Sequence, residues 1–476
     1  MDMTELSRAN DPGSEQGVGF LPREPRSIAD TGLPPDWLIG FVLRHLYRAG
    51  DIDLSRLSAR MRVPEALLQS VLNRMRSARL VDPVAAPSAT GGPCYSLTDA
   101  GRSHASEAFA RVSYSGPAPV SLEQYRRSLD AQAATDPIHA AGLADALEGL
   151  ALDGDTLERL GAALSSQRSF VLYGPPGSGR SSIVGRLAAL SRGVVWVPHA
   201  LLAGDQVIRI FDPQVHCTLA SERAQDAGPG GDAAPSPAER GITCSLQTPM
   251  DWRDAHSSGA DALGGRSDAR WVACRRPVLV VNNDAGPAAF ELRPDSGSFA
   301  LSAPPQIRAA LGSLVIDDAG RGDSSTRSML ARVLPAVQQG VDRLTCPNGA
   351  VIELPLRLRV VGVGTRDPAA RGYDRLGLRL GHAVPLGPLE ERVYRRAVAI
   401  SAERMGLRCD AIAERHLLDL HRLGGRVPML ASLPNELFGR IVDRARFRNE
   451  RAELSPDAID WAWRAMFGDS LRGGAR

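Results

Sequence analysis

The stretch FVLYGPPGSGRSSIVGRLAAL, Phe170 to Leu190, decides how the other residues of this 476-residue chain are read. Phe170 to Tyr173 is a short apolar run of the kind a buried strand shows. Gly174 to Ser181 then follows the pattern G-x-x-x-x-G-K-[ST], in which a glycine-rich turn aims successive backbone N–H groups at one phosphate. Gly174, Gly177 and Gly179 allow the curl, with Pro175, Pro176 and Ser178 between them. The helix opening at about Arg180 adds the positive end of its dipole. Ser181 is the hydroxyl expected to reach Mg²⁺, and Ser182 follows it. One position departs from the pattern: Arg180 stands where lysine belongs. All 56 basic residues are arginine, so the chain has no lysine at all. Such a bias accounts easily for surface positions. It accounts poorly for this one, because an ammonium is a compact point charge that fits between phosphates and a guanidinium is a wider planar fork. The expectation is a nucleotide site with impaired or altered chemistry.

Downstream, LGSLVIDDAGRGD (Leu311–Asp323) supplies the second chemical signature. Leu314, Val315 and Ile316 read as an apolar strand ending in Asp317 and Asp318, a Walker B arrangement. Asp317 would hold the Mg²⁺ shell, and Asp318 would polarise an attacking water. Between the two signatures, Val194–Val197, Val207–Phe211 and Val278–Val281 offer strands, and residues 221–269 read as a low-complexity insertion loop. Val360–Val363 form another core strand, ending at Thr365-Arg366. From about 385 the chain is helical, with Leu437, Ile441, Val442 and Ala445 spaced for a small bundle.

Upstream, residues 1–33 have almost no apolar periodicity and read as a disordered tail. A stripe from Trp37 to Leu46, a helix at Leu54–Met61 and another at Pro64–Ala78 follow. Leu80-Val81 and Tyr95-Ser96-Leu97 form a hairpin, and TDAG caps a further helix. Three helices and a two-stranded wing over 34–114 resemble a winged helix. That suggests either DNA recognition by Pro64–Ala78, with Arg74, Arg76 and Arg79 at phosphates, or a protein-docking module. Residues 115–160 read as a Pro/Ser connector leading into a helical segment, and 161–384 as the nucleotide-binding core.

Composition narrows the classes further. A net charge of +2 and 43% hydrophobic residues exclude a polyelectrolyte field and allow real cores. Six cysteines without C-x-x-C or Cys/His spacing suggest reduced thiols and no zinc site. No apolar run approaches a membrane span, so a cytoplasmic protein without a membrane partner is expected.

Taken together, "LYGPPGSGR", Gly204 to Pro213, "VIDDAGR" and "NELFGRIVDRARF" resemble bacterial AAA+ ATPases with an N-terminal winged helix, a group described as predicted ATPases with chaperone activity. The resemblance covers about Thr31 to Phe467. It implies an α/β fold, an AAA+ P-loop NTPase core of parallel strands flanked by helices, with a helical lid over 385–476. It further implies ATP or ADP with Mg²⁺, homo- or hetero-oligomers of AAA+ subunits, and an unidentified protein client. Against the family pattern, Arg366 replaces the sensor 1 asparagine, and Pro434-Asn435-Glu436-Leu437 lacks the sensor 2 cation. Arg379 lies near the position of an arginine finger, with Arg375 as the nearby alternative. These departures favour a weak or inactive ATPase acting as a nucleotide-dependent conformational or assembly module. The alternatives are a DNA-binding regulator oligomerised by this core and an active remodelling ATPase.

Overall fold

The computed structural model describes residues 20–84, 93–133, 138–191, 193–219, 267–282, 285–295, 300–317, 323–367, 379–424 and 427–468. Its centre is a parallel sheet of five strands: β1 (Phe170–Tyr173), β2 (Val278–Asn282), β3 (Ser313–Asp317), β4 (Arg359–Gly364) and β5 (His382–Pro385). They lie in the order β2-β3-β4-β1-β5, and every neighbouring pair is parallel. The reason β1 is apolar at successive positions is that both faces of the sheet are covered. Phe170 and Leu172 pack with Leu160, Ile183 and Leu187 on one face, while Val171 packs with Leu330 and Val333 on the other. Phe170 and Leu172 are fully buried, and each such side chain stabilises the fold by about 1.5–3 kcal/mol.

The strand β5 had no counterpart in the sequence reading. Its four residues follow a turn rather than a long apolar run, and only its parallel pairing with β1 reveals it. Conversely, two expected strands lie outside this sheet. Val194–Pro198 pairs antiparallel with Trp271–Arg275, and Gln206–Arg209 pairs with Ala200–Ala203. Ala200–Ala203 and Gln206–Arg209 belong to a second sheet, which runs Arg293–Pro294, Leu301–Ser302, Gln206–Arg209, Ala200–Ala203, Val120–Ser121. The segment 115–160 is therefore more than a connector, since Val120–Ser121 is an edge strand of that sheet and Leu122–Ala131 is a helix with a capping box at Ser121.

The tail expected over 1–33 is corrected from residue 20 onward. Thr31 and Leu33 are buried, Phe20 packs edge-on to Trp271, and Arg23 forms a bridge to Ser267. The anchor is a buried ion pair. Arg270 is bonded to Asp268 at 2.8 Å, the two side chains 1% and 4% exposed, and Arg270 also donates to Thr31 O and Pro119 O. One guanidinium thus ties the N-terminal segment and the connector to the start of the strand Trp271–Arg275. Apolar periodicity is blind to it, because the ordering contact is polar and joins residues 239 apart in sequence. Residues 267–269 of the expected insertion belong to this ordered structure; residues 1–19 and 220–266 lie outside the described residues.

At the N-terminus, helices Pro35–Ala49, Leu54–Met61 and Glu65–Ser77 pack on a three-stranded antiparallel sheet of Ile52–Asp53, Cys94–Leu97 and Val81–Val84. Thr98 caps the helix Asp99–Arg111 by accepting from Gly101 N at 2.9 Å. At the other end are four lid helices. With α1 (Arg180–Leu190) in the core, these are α2 (Glu391–Arg404), α3 (Ala411–Gly424), α4 (Leu433–Arg448) and α5 (Pro456–Phe467). Tyr394, Leu417, Leu437, Phe438 and Trp463 form their common core.

Candidate functional site

The site is built on the connection from β1 to α1. Gly174 leaves the strand with its N–H donating to Gly364 O at 3.1 Å, and Leu386 N donates to Tyr173 O at 2.7 Å. No larger residue fits there: a Cβ on Gly174 would stand 1.9 Å from Leu386 O. Gly177 and Gly179 adopt φ of 85° and 92°, the left-handed region in which a side chain is strained. Ser178 N closes the turn on Pro175 O at 3.2 Å. The first amide of α1 with a helical acceptor is Ile183 N, on Gly179 O at 3.1 Å, so Ser181 and Ser182 occupy the first turn, where N–H groups lack intrahelical acceptors. Both serines are exposed, whereas Arg180 is half-buried. Ser178 Oγ is buried with no hydrogen-bond partner. A turn with φ-positive glycines, helix-start amides and an orphaned hydroxyl is a cradle suited to oxyanions.

The C-terminal edge of the sheet brings the other candidates beside it. Asp317 ends β3 in register with Val363 of β4, and Gly364 of β4 is in register with Tyr173 of β1. Asp317 therefore stands two strands from the phosphate-binding turn, about 10 Å at ordinary strand spacing. Thr365 and Arg366 leave β4 at the same edge, Thr365 half-buried and Arg366 exposed. Asp318 and Arg375 lie outside the described residues.

Arg379 is not part of this group. It precedes β5 at the opposite end of the sheet, where Gly381 N donates to Ser169 O, and it is bonded to Gln338 at 3.2 Å. About four strand residues, some 13 Å, separate it from the turn of its own chain. Within this chain it does not reach the turn after β1.

The lid closes over the turn from the side that spacing arguments left blank. Ser432 N donates to Gly177 O at 3.0 Å, and Leu430 and Ala431 lie against Gly177 and Gly179. Behind this contact is a cavity of about 130 Å³, lined among others by Leu150, Leu152, Ser178, Ile183, Ile400 and Arg404. Its apolar walls come from the segment before helix Gly154–Ser165 and from α2. Asn435 of the Pro-Asn-Glu-Leu stretch also reaches it, while Glu436 points outward to Arg440 at 2.9 Å. Arg404 was missed in the sequence. It is one of many arginines on α2, and only the fold shows that the end of this helix meets the P-loop cavity.

The strand order, the glycine-rich turn after β1 and the acidic end of β3 define an α/β core whose five parallel strands carry a P-loop-like turn at their C-terminal edge. A family model described as "Domain of unknown function (DUF8689)" matches residues 390–465, the lid helices. No curated protein matches the chain. Among solved structures, Thermotoga maritima RuvB, described as a Holliday junction branch migration motor, is 12% identical over 67% of this chain and 72% of its own, with a TM-score of 0.35. NtrX from Brucella abortus in complex with ADP is 13% identical over 66% of this chain and 55% of its own, also with a TM-score of 0.35. Among the described residues no helix is long and apolar enough to cross a membrane.

Proposed function

We propose that this chain is a nucleotide-binding AAA+ module that takes ATP or ADP with Mg²⁺ at Gly174–Ser182 and hydrolyses it slowly or not at all. The observation that carries the reading is the cradle itself: φ-positive glycines, helix-start amides and the unpartnered Ser178 hydroxyl on one turn. Such a turn holds phosphates through backbone N–H groups, which the replacement of lysine by Arg180 leaves in place. Ser181 and Asp317 would hold the metal, which when bound neutralises phosphate charge. Arg180 bears on the phosphates with a broader, flatter cation than the pattern requires. Arg366 brings a donor-only group to a position where water alignment calls for an acceptor. Positioning defects of this kind each cost on the order of 10²-fold in rate.

A cavity of about 130 Å³ is smaller than the 300–1,000 Å³ of ordinary ligand pockets. Nucleotide therefore displaces Leu430–Ser432 from the turn, and binding is coupled to lid position. This makes the nucleotide a conformational ligand, with assembly into AAA+ oligomers and an unidentified protein client as its outputs. In this reading Arg379, remote from its own P-loop, acts on a neighbouring subunit's nucleotide.

The test is an equilibrium titration with a fluorescent ATP analogue, with and without Mg²⁺, on wild type and Arg180→Lys. Saturable binding by both, with hydrolysis gained only by Arg180→Lys, supports the reading. No saturable binding up to millimolar nucleotide rejects it.

A second reading rests on helix Glu65–Ser77, where Arg74, Arg76 and nearby Arg79 are exposed and make no ion pair with a described residue. A DNA-binding regulator with a winged-helix reader would use them at phosphates. Salt-dependent duplex binding, lost in the Arg74→Ala/Arg76→Ala variant, would favour it over the docking role.

A further inference from the structure

The cavity between the lid and the glycine-rich turn has one charged residue among the described residues that line it, Arg404. It sits in the last turn of α2. Ala397, Ile400, Ser401 and Arg404 face the cavity at i, i+3, i+4 and i+7, which is one continuous stripe of that helix. Ala397 and Ser401 are small and buried, and they let the lid helix come close to the turn. Arg404, at the end of the stripe, is exposed, and its guanidinium makes no hydrogen bond or ion pair with a described residue. A basic residue in a last turn also complements the dipole of its own helix. That accounts for the charge, but not for the side of the helix that carries it.

The turn itself supplies another wall. Ser178, Gly179, Ser182 and Ile183 line the cavity, and Ser178 Oγ is buried there without a hydrogen-bond partner. A buried hydroxyl left unpaired is costly until a ligand supplies the missing bond. From the start of α4 the lid adds Asn435, an uncharged amide. The lid's charge at this cavity therefore comes from α2 and not from α4. A guanidinium is drawn to phosphate charge more strongly than to the face of a base at an exposed site, and its paired N–H groups match phosphate oxygens.

We propose that Arg404 is the lid's specificity determinant at this site: its guanidinium pairs with phosphate charge on a nucleotide seated at Gly174–Ser182, so that lid closure favours a tri- or diphosphate over a monophosphate. Arg404 can act in this way only if that turn holds a nucleotide, the reading proposed above. Once nucleotide has displaced Leu430–Ser432, the phosphate charge draws the lid back through this side chain. The position of the lid then reports the number of phosphates.

The experiment is competition against a fluorescent ATP analogue, with Mg²⁺, by ATP, ADP and AMP on the full chain. Wild type, Arg404→Gln and Arg404→Lys are compared. Arg404→Gln should weaken ATP by about tenfold, ADP by less and AMP by no more than about twofold. Arg404→Lys, which keeps the charge without the fork, should show the same order with smaller losses. The side chain is exposed, so both variants should melt within about 2 °C of wild type. Should Arg404→Gln not fold, Arg404→Lys carries the comparison. Equal weakening of all three nucleotides places the side chain against the base or in the packing, and overturns the inference. So does a variant that binds all three as wild type does. Either result leaves the P-loop reading standing, whereas a wild type that shows no saturable binding removes both.

Discussion

Gly174→Ala is the sharpest perturbation the site offers. An alanine Cβ there would stand 1.9 Å from Leu386 O and 3.1 Å from Ser178 Oγ. The first contact is with backbone, so relief requires Gly174 and Leu386 to separate by more than 1 Å. Two hydrogen bonds oppose that movement, Leu386 N to Tyr173 O at 2.7 Å and Gly174 N to Gly364 O at 3.1 Å. Losing both, with donors and acceptors left buried, costs about 1–3 kcal/mol each, or roughly 2–6 kcal/mol in total. Gly364→Ala is the matched control, because it sits at the end of the adjoining strand with nothing within 4 Å of a new Cβ. Urea unfolding should show Gly174→Ala losing several kcal/mol and its affinity for an ATP analogue, and Gly364→Ala remaining within about 1 kcal/mol of wild type. If Gly174→Ala unfolds within about 0.5 kcal/mol of wild type, the close approach of β5 to the P-loop is wrong.

Leu430→Ala should weaken the lid's hold on Gly177; thermal stability falls, yet affinity for the ATP analogue rises several-fold, and an unchanged affinity would speak against displacement of the lid. Asp268→Ala leaves Arg270 buried without its counter-charge, so chemical denaturation should register a loss of about 3–5 kcal/mol, with proteolysis opening the chain near residue 30. Acidification should also destabilise. Burial lowers His45 to about 3 and His216 to about 4, so both rings are neutral in the fold, His45 donating to Gly116 O and His216 accepting from Asp212 N and donating to Arg308 O. Because the unfolded chain binds these protons at pH values near 6.5 and the folded chain does not, stability is constant above that value and declines as pH falls from 6.5 towards 4. For His216 alone the loss amounts to roughly 3 kcal/mol. A His216→Gln variant should flatten part of that slope in denaturation curves measured between pH 7 and 4.5.

How far the sequence carried the fold depended on the range of the interaction concerned. The turn from Gly174 to Ser181 is written locally, because each glycine answers to a backbone demand a few residues away. Strand β3 was also legible, since Leu314 to Ile316 are buried on both faces and form an apolar run downstream of the glycine-rich turn. Val194–Pro198 looked the same in sequence yet joins Trp271–Arg275, since an apolar run states that a strand is buried but not beside which partner. His382–Pro385 was invisible for the converse reason: with His382 half-buried and Ala383 exposed, an edge strand needs only its inward residue, Val384, to be apolar. The ordering of residues 20–33 depends on Arg270, and the cavity role of Arg404 on the packing of α2. Neither departs from the arginine-rich background until three-dimensional neighbours are known.

The proposed function requires that a P-loop with Arg180 in place of lysine still binds nucleotide while its catalytic partners no longer work together. One sample measured in two ways tests this directly: equilibrium binding of a fluorescent ATP analogue with Mg²⁺, and steady-state phosphate release from ATP at saturating concentration. The account predicts saturable binding with turnover far below the range of about 1–10³ s⁻¹ typical of enzymes. Turnover of about 1 s⁻¹ or more that Asp317→Ala abolishes without unfolding the protein would contradict it, and so would the absence of binding up to millimolar nucleotide.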